Sequence, residues 1–95
     1  MGGRHLVVFA LATGGEESRL GVTATRRLGG AVVRNRARRR LRELFRRHAD
    51  LLAGFALDVV VNARGGCAAA AWGELEQEWL RCVTKVRRLV EGRAS

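Results

Sequence analysis

The sequence predicts an α+β fold, a two-layer αβ sandwich in which a small mixed sheet is covered on one side by two helices. Three short stretches rich in Val, Leu and Phe have strand-like patterns, and two longer stretches carry apolar residues at every third or fourth position. In chain order they are strand, strand, helix, strand, helix. A chain of 95 residues that is 47% hydrophobic and lacks proline has room for one modest core. We therefore expect residues 1–95 to form a single domain.

The first two predicted strands precede the first helix. Residues 4–12 (RHLVVFALA) are almost continuously apolar, which is typical of a strand buried on both faces. Residues 19–25 alternate instead, with Leu20, Val22 and Ala24 on one side and polar or small residues on the other. A polar connection with two glycines separates the two stretches, so we expect them to pair as an antiparallel hairpin.

The other three elements follow a break at Gly29 and Gly30. Apolar periodicity predicts a helix from residue 31 to about residue 48, with Gly30 as an acceptable but weak helix start. Residues 55–63 (FALDVVVNA) are predicted to form a third, buried strand. From about residue 68 to residue 91 the pattern predicts a long helix. Its acids fall in the first half and its bases in the second, as the helix dipole favours.

The net charge of +9 is concentrated in one segment. Residues 26–47 contain ten of the 18 basic residues and one of the nine acids, so this segment alone accounts for the excess. Such a concentration indicates an anionic partner. No apolar run approaches the ~20 residues of a membrane-spanning helix. The amino-terminal apolar run is too short for a signal peptide and is followed by a strand pattern, so we expect a cytoplasmic protein.

The helix at 31–48 has two faces of different chemistry. Val33, Ala37, Leu41, Leu44 and Phe45 form one apolar stripe, which is needed to cover the sheet and so disfavours a membrane-surface role. Arginines cover the rest, and guanidinium groups bind phosphate oxygens through a planar fork of donors. Arg34, Arg38 and Arg42 form a row with a rise of ~6 Å per step, close to the spacing of successive phosphates. A solvated surface helix is the alternative, but acidic partners four residues away are almost absent.

A neutral amide, Asn35, stands among these arginines and suggests a hydrogen bond to a base, a sugar or a hydrated metal ion. No catalytic motif, metal-ligand spacing or phosphate-binding glycine loop occurs. Cys67 and Cys82 are predicted to be unpaired thiols, and Glu43 to pair along its own helix. The residues alone leave Phe9 open between a core position, which is favoured, and an exposed aromatic that stacks an unpaired base. Trp72 and Trp79 are predicted to lie in the core.

The stretch RLGVTATRRLGGAVVRNRARRRLRELFR, residues 19–46, resembles the central motif of the bacterial ribonuclease P protein subunit. That pattern has a Gly-Val strand, two basic residues, a Gly, and then Ala-Val-x-Arg-Asn-Arg-x-Lys/Arg-Arg-x-x-Arg-Glu-x-Phe-Arg. The matching residues are Gly21-Val22, Arg26-Arg27, Gly29, Ala31-Val32, Arg34-Asn35-Arg36, Arg38-Arg39, Arg42-Glu43 and Phe45-Arg46. The strand before Arg64 and the last helix are also similar, so the likeness covers the chain from residue 4 onward.

The resemblance implies a fold in which the arginine-rich helix joins two parallel strands by a left-handed crossover, an exception to the usual right-handed rule. It also implies an accessory subunit without catalytic or metal-binding residues of its own. In this family a catalytic RNA, which binds most of the Mg²⁺, removes the 5′ leader of precursor tRNA. The implied partners are the ribonuclease P RNA and precursor tRNA, with no organic cofactor and no obligatory protein partner.

Carried over by position, the resemblance implies two sets of binding residues. Phe9 matches an aromatic position on the strand that lines the leader cleft. The RNA-binding set consists of Arg26, Arg27, Arg34, Asn35, Arg36, Arg38, Arg39, Arg42 and Arg46.

Two departures from the family pattern stand out. The chain starts at what is usually the family's second strand, without the preceding short aromatic helix that forms one wall of the cleft. The chain is therefore shortened, or leader binding depends on Phe9 and the sheet. Arg40 replaces a residue that is often apolar in the family, and we expect its stem to lie along the core with its charge in water. The alternative functions are a ribosomal-type structural RNA-binding protein and, without a catalytic set to support it, a hydrolase in its own right.

Overall fold

The computed structural model describes residues 3–12, 18–52 and 56–94, with the side chains of residues 12 and 92–94 left out. The predicted element order is confirmed: β1 (Leu6–Ala12), β2 (Arg19–Thr23), α1 (Ala31–Arg47), β3 (Leu57–Ala63) and α2 (Trp72–Ala94). Short 3₁₀ turns at Arg26–Leu28 and Ala49–Leu52 flank α1. The predicted ends of α1 are accurate, whereas α2 begins four residues later than predicted, because residues 65–70 form turns.

The sheet has the order β1-β3-β2, with β3 antiparallel to β1 and parallel to β2. The predicted hairpin between the first two strands is therefore wrong. That prediction assumed that strands adjacent in sequence pair with each other. Instead β3, which contains three consecutive valines, takes the central position, where both of its edges are hydrogen-bonded. Helix α1 supplies the crossover that two parallel neighbours require. The left-handed sense of this crossover stays an expectation from the resemblance.

Both helices pack on one face of the sheet, α2 mainly against β1 and α1 against β2 and β3. Leu6 and Val8 of β1 face this core together with Val59 and Val61 of β3. On the opposite face of β1, Phe9 and Leu11 are 54% and 73% exposed. The prediction that β1 and β3 are buried on both faces is wrong, because no helix among the described residues covers the second face. We call this surface the open sheet face.

The apolar stripe of α1 reaches the core through Ala37, Leu41 and Leu44, with Phe45 partly buried beside them. Val33, predicted to belong to the stripe, is exposed instead. It lies in the first turn and packs beside Gly29, whose φ of 139° places it in a conformation that glycine adopts readily. A Cβ at Gly29 would also lie 3.2 Å from Val33. The N-terminal turn of α1 therefore projects beyond the hydrophobic core.

Arg40 connects the two helices. Its guanidinium donates hydrogen bonds to the carbonyl oxygens of Cys67 (2.8 Å) and Ala70 (2.5 Å), in the turns that precede α2. The guanidinium carbon also lies 5.6 Å from the ring centre of Trp72, and that of Arg47 lies 5.2 Å from it. Arg40 was expected to extend its charge into water. Its guanidinium donates to backbone carbonyls in the turns before α2 instead.

The cysteine prediction is confirmed, since Cys67 and Cys82 are both buried free thiols. Burial raises the pKa of Cys67 to about 11, so this thiol is protonated at neutral pH. Trp79 lies in the core, as predicted, and its ring meets Phe45 edge-to-face at 6.5 Å. Trp72 is only partly buried and packs at the edge of the core.

Glu78 is a buried carboxylate, 3% exposed, that joins α2 to the start of β1. Its Oε1 accepts hydrogen bonds from the backbone N–H groups of His5 (2.7 Å) and Leu6 (3.3 Å). Its Oε2 lies 2.8 Å from Nδ1 of His5. A Cβ added at Gly3 would overlap the same carboxylate. The first residues of β1 are thus held against α2 by one side chain.

Candidate nucleic-acid interface

The outward face of α1 carries most of the predicted RNA-binding residues. It consists of an exposed group, Asn35, Arg36, Arg39, Arg42 and Arg46, and a partly buried pair, Arg34 and Arg38. The helix can display so many cations because its buried face is limited to Ala37, Leu41 and Leu44. The sequence therefore predicted correctly that one face enters the core and the other carries the charge.

Arg26 and Arg27 lie outside the helix, in the 3₁₀ turn that connects β2 to α1. Both are exposed. The turn ends at Gly29, whose N–H donates to the carbonyl of Arg26 (3.1 Å). These two arginines therefore extend the basic surface past the N-terminal end of α1. A helix N-terminus also favours anions through its free N–H groups and its dipole.

Asn35 lies in a shallow depression on α1 with Val32, Arg36 and Arg39. Nη1 of Arg38 lies 3.4 Å from Oδ1 of Asn35, a long contact that leaves the amide NH₂ free to donate outward. Val32 is 82% exposed and contributes an apolar surface at this point. The depression thus offers apolar contact, an amide donor and two cations. Val32 is not among the predicted binding residues, although an apolar residue outside the apolar stripe was a signal for it.

Arg34 differs from the exposed arginines. Its Nε is shielded from solvent and has no hydrogen-bond partner among the described residues. A shielded N–H without an acceptor is unfavourable in the free protein. This donor lies on the face that carries the other predicted RNA-binding residues.

Glu43 reduces the positive charge at the C-terminal end of α1. It accepts hydrogen bonds from Arg46 (Nε, 3.1 Å) and Arg47 (Nε, 3.0 Å), so the predicted pairing along its own helix is confirmed. These hydrogen bonds to Arg46 and Arg47 lower the pKa of Glu43 to about 2. The carboxylate therefore stays ionised at neutral pH, and Arg46 is the member of the predicted set whose charge is partly neutralised.

The open sheet face lies on the side of the sheet opposite to the helices. Phe9 pairs with Val60 in β3, and Val60 pairs with Gly21 in β2. An added Cβ at Gly21 would meet no atom within 4 Å. Across this row, Phe9 presents an aromatic ring, Val60 presents an apolar side chain, and Gly21 leaves open space. The core position favoured for Phe9 is wrong, and the exposed alternative is confirmed, because only one face of the sheet is covered.

The rest of the open sheet face was not predicted from the sequence to be a binding surface. It includes Leu11, Asp58, Val60, Asn62 and Thr23, which the strand registers place on the side of Phe9. The alternation of apolar and polar residues in β3 could have indicated that one face of this strand is exposed. Because β3 separates β1 from β2, Phe9 lies farther from Arg26 and Arg27 than a hairpin would have placed it.

The described residues contain neither a membrane-spanning helix nor a cluster of metal ligands. Neither helix is long and apolar enough, over its described part, to cross a membrane. In the same ranges, no group of three or more His, Cys, Asp or Glu side chains comes together that could hold a metal ion.

Comparisons with known proteins place these features in a family. The family model described as ribonuclease P matches residues 1–87. The ribonuclease P protein component of Nocardioides sp. is 37% identical over 94 residues, which cover 95% of this chain and 80% of that protein. The ribonuclease P protein from Thermotoga maritima superposes with a TM-score of 0.80 at 26% identity, covering 90% of this chain and 80% of that one.

The Staphylococcus aureus ribonuclease P protein has a similar structure, with a TM-score of 0.75 at 28% identity over 92% of this chain and 78% of that one. These structures share the small mixed sheet with two helices found here. The central motif, the fold and the family model agree, and the chain therefore belongs to the ribonuclease P protein family, whose members are the protein component of the ribonucleoprotein that processes the 5′ ends of tRNA.

Proposed function

We propose that this chain binds a catalytic ribonuclease P RNA through the outward face of α1, and the 5′ leader of precursor tRNA through the open sheet face. The observation that carries the proposal is the separation of roles on α1. Its apolar residues from Ala37 to Phe45 pack in the core. Its arginines have no acidic partner on the same helix, except those that pair with Glu43, and only Arg40 among the rest is bound to backbone carbonyls. Charge arranged in this way is available to phosphate groups.

The contribution of the protein is positional and electrostatic. Arginines on α1 neutralise phosphates and release counterions, which makes RNA binding strongly dependent on salt. The described residues offer no carboxylate cluster for a metal ion. As the family resemblance implies, the proposal assigns the Mg²⁺ that serves cleavage mainly to the RNA and assigns no catalytic side chain to the protein.

The open sheet face suits an unpaired strand. Phe9 offers an aromatic surface on which one base can stack, and Val60 and Gly21 leave space beside it. Asn62 and Thr23, one row away, add polar groups within reach of a backbone or a base edge. Single-stranded RNA is recognised by this combination of stacking and polar contacts.

The proposal is tested by cleavage of precursor tRNA with a bacterial ribonuclease P RNA at low Mg²⁺, with and without this chain. We expect the chain to raise the cleavage rate about tenfold, which corresponds to ~1.4 kcal/mol of positioning. The diagnostic product is the released 5′ leader, cut at the same site as in the reaction without the chain.

A ribosomal-type RNA-binding protein would give a different result. It would bind the same RNA with a similar salt dependence, yet leave the cleavage rate unchanged at every Mg²⁺ concentration. Cleavage by the chain without any RNA subunit would instead indicate a hydrolase. Either result would contradict the proposed role.

Replacing Phe9 with Ala is expected to reduce the preference for precursor tRNA over mature tRNA about tenfold, because stacking on an aromatic ring contributes ~1–3 kcal/mol per base. The measurement is the dissociation constant of each tRNA from the complex of protein and catalytic RNA. Leu89→Ala is the matched control, since Leu89 is an exposed apolar residue on α2. Equal effects of the two substitutions would show that Phe9 does not contact the leader.

A further inference from the structure

A second basic surface lies on α2, on the side that faces the start of β1. Arg81, Lys85 and Arg88 are exposed and follow one another at intervals of four and three residues, so they share one side of the helix. Arg4 is brought to the same place from the other end of the chain. We call these four residues the α2 basic surface.

The fold, rather than the local sequence, assembles this surface. The hydrogen bonds from His5 and Leu6 to Glu78 hold the first residues of β1 against α2. Arg4 is thereby placed beside Arg81, 77 positions later in the chain. Outside residues 26–47 the sequence has eight basic residues and eight acids, so its net charge there is zero. The sequence alone therefore does not indicate the α2 basic surface.

The groove between the two elements is positively charged. Its lining consists of Gly3, Arg4, Glu78, Arg81, Cys82 and Lys85. The one acid, Glu78, is buried and already accepts three hydrogen bonds from the start of β1. None of the four cations of the α2 basic surface forms an ion pair within the described ranges. Glu74 lines the adjoining depression together with Arg4 and Arg81 but forms no ion pair among the described residues, so the four cations still exceed the two nearby acids.

We infer that the α2 basic surface binds a second segment of RNA backbone, separate from the one proposed for α1. The row from Arg81 to Arg88 extends ~10 Å along the helix, which fits successive phosphates of a strand better than a single small anion. Long, solvated Lys and Arg side chains contact backbone phosphates with little sequence preference. Helix α2 packs on β1 and α1 on β2 and β3, so the two surfaces lie toward opposite edges of the sheet.

The test uses a fluorescein-labelled oligouridylate of about 20 nucleotides, longer than the ~4–16 nucleotides that one single-strand-binding domain covers. Binding to the full chain is measured by fluorescence anisotropy over a range of NaCl concentrations. For R81Q/K85Q we expect roughly tenfold weaker binding at low salt. The slope of log Kd against log salt should fall by about 1.4, because each single-strand phosphate contact contributes ~0.7.

The charge-preserving exchange R81K/K85R is the matched control and is expected to bind like the unmodified chain. Circular dichroism verifies that each variant is folded. A folded R81Q/K85Q chain with unchanged affinity and slope would overturn the inference, and so would equal losses in R81K/K85R. The variant R34Q/R36Q is measured in parallel, so a failure of the α1 proposal would be seen separately.

Discussion

Replacing Arg34 and Arg36 together with Gln is expected to weaken binding of the chain to a bacterial ribonuclease P RNA at least about a hundredfold, because each charge-assisted hydrogen bond contributes ~1.5–3 kcal/mol. Both residues lie on the outward face of α1, and Nε of Arg34 has no partner among the described residues. The slope of log Kd against log salt should decrease by about 1.4–1.8, the value for two lost phosphate contacts.

The control removes the same amount of charge elsewhere. Arg47 already pairs with Glu43, and Arg64 directly follows β3, outside α1, so the double change R47Q/R64Q should alter the affinity only slightly. A filter-binding titration of both variants against the same RNA separates the two cases. If R47Q/R64Q weakened binding as much as R34Q/R36Q, net charge rather than the α1 surface would control binding. That outcome would remove the main support for the proposed RNA face.

Replacing Glu78 with Ala is expected to lower the free energy of unfolding by about 2–4 kcal/mol, since the backbone N–H groups of His5 and Leu6 lose a buried acceptor. For a domain of this size the melting temperature should then fall by about 10–20 °C. Urea denaturation followed by circular dichroism measures the free energy, and a thermal scan measures the shift.

Glu74 provides the comparison, because it lies one helical turn earlier on α2 and is exposed. Its replacement with Ala should lower the free energy of unfolding by no more than about 1 kcal/mol, the contribution of an acid in the first turn of a helix. Glu78→Gln keeps one acceptor oxygen and should fall between the two. Equal stabilities for the Glu78 and Glu74 alanine variants would mean that the hydrogen bonds to β1 do not stabilise the native state. A large loss specific to Glu78 would also explain how Arg4 is positioned for the α2 basic surface.

Some features could be predicted because they depend on residues close together in sequence. The 3.6-residue period of α1 placed Ala37, Leu41, Leu44 and Phe45 correctly on the core side, with exposed Val33 as the exception, and assigned the arginines to the other face. The pairing of Glu43 with Arg46 and Arg47 follows from the same spacing of three and four residues. The central motif, also local, indicated the ribonuclease P family before any fold was known.

Other features depend on contacts between distant parts of the chain. Sequence patterns did not predict four of these features. They are the central position of β3, the exposure of Phe9, the carbonyl contacts of Arg40 and the burial of Glu78. An apolar strand has the same sequence pattern whether helices cover one or both of its faces. The exposure of Phe9 could therefore be assigned only from the structure of the sheet.

The sequence by itself thus determined the order of the helices and strands, the two-faced character of α1 and the family, because periodicity and motif are local properties. Only the tertiary structure decided the strand order, which side of the sheet stays open, and which cations from opposite ends of the chain meet on α2. These depend on strand pairing and on buried hydrogen bonds between residues such as His5 and Glu78, 73 positions apart. Such long-range contacts do not produce a periodic pattern in the sequence.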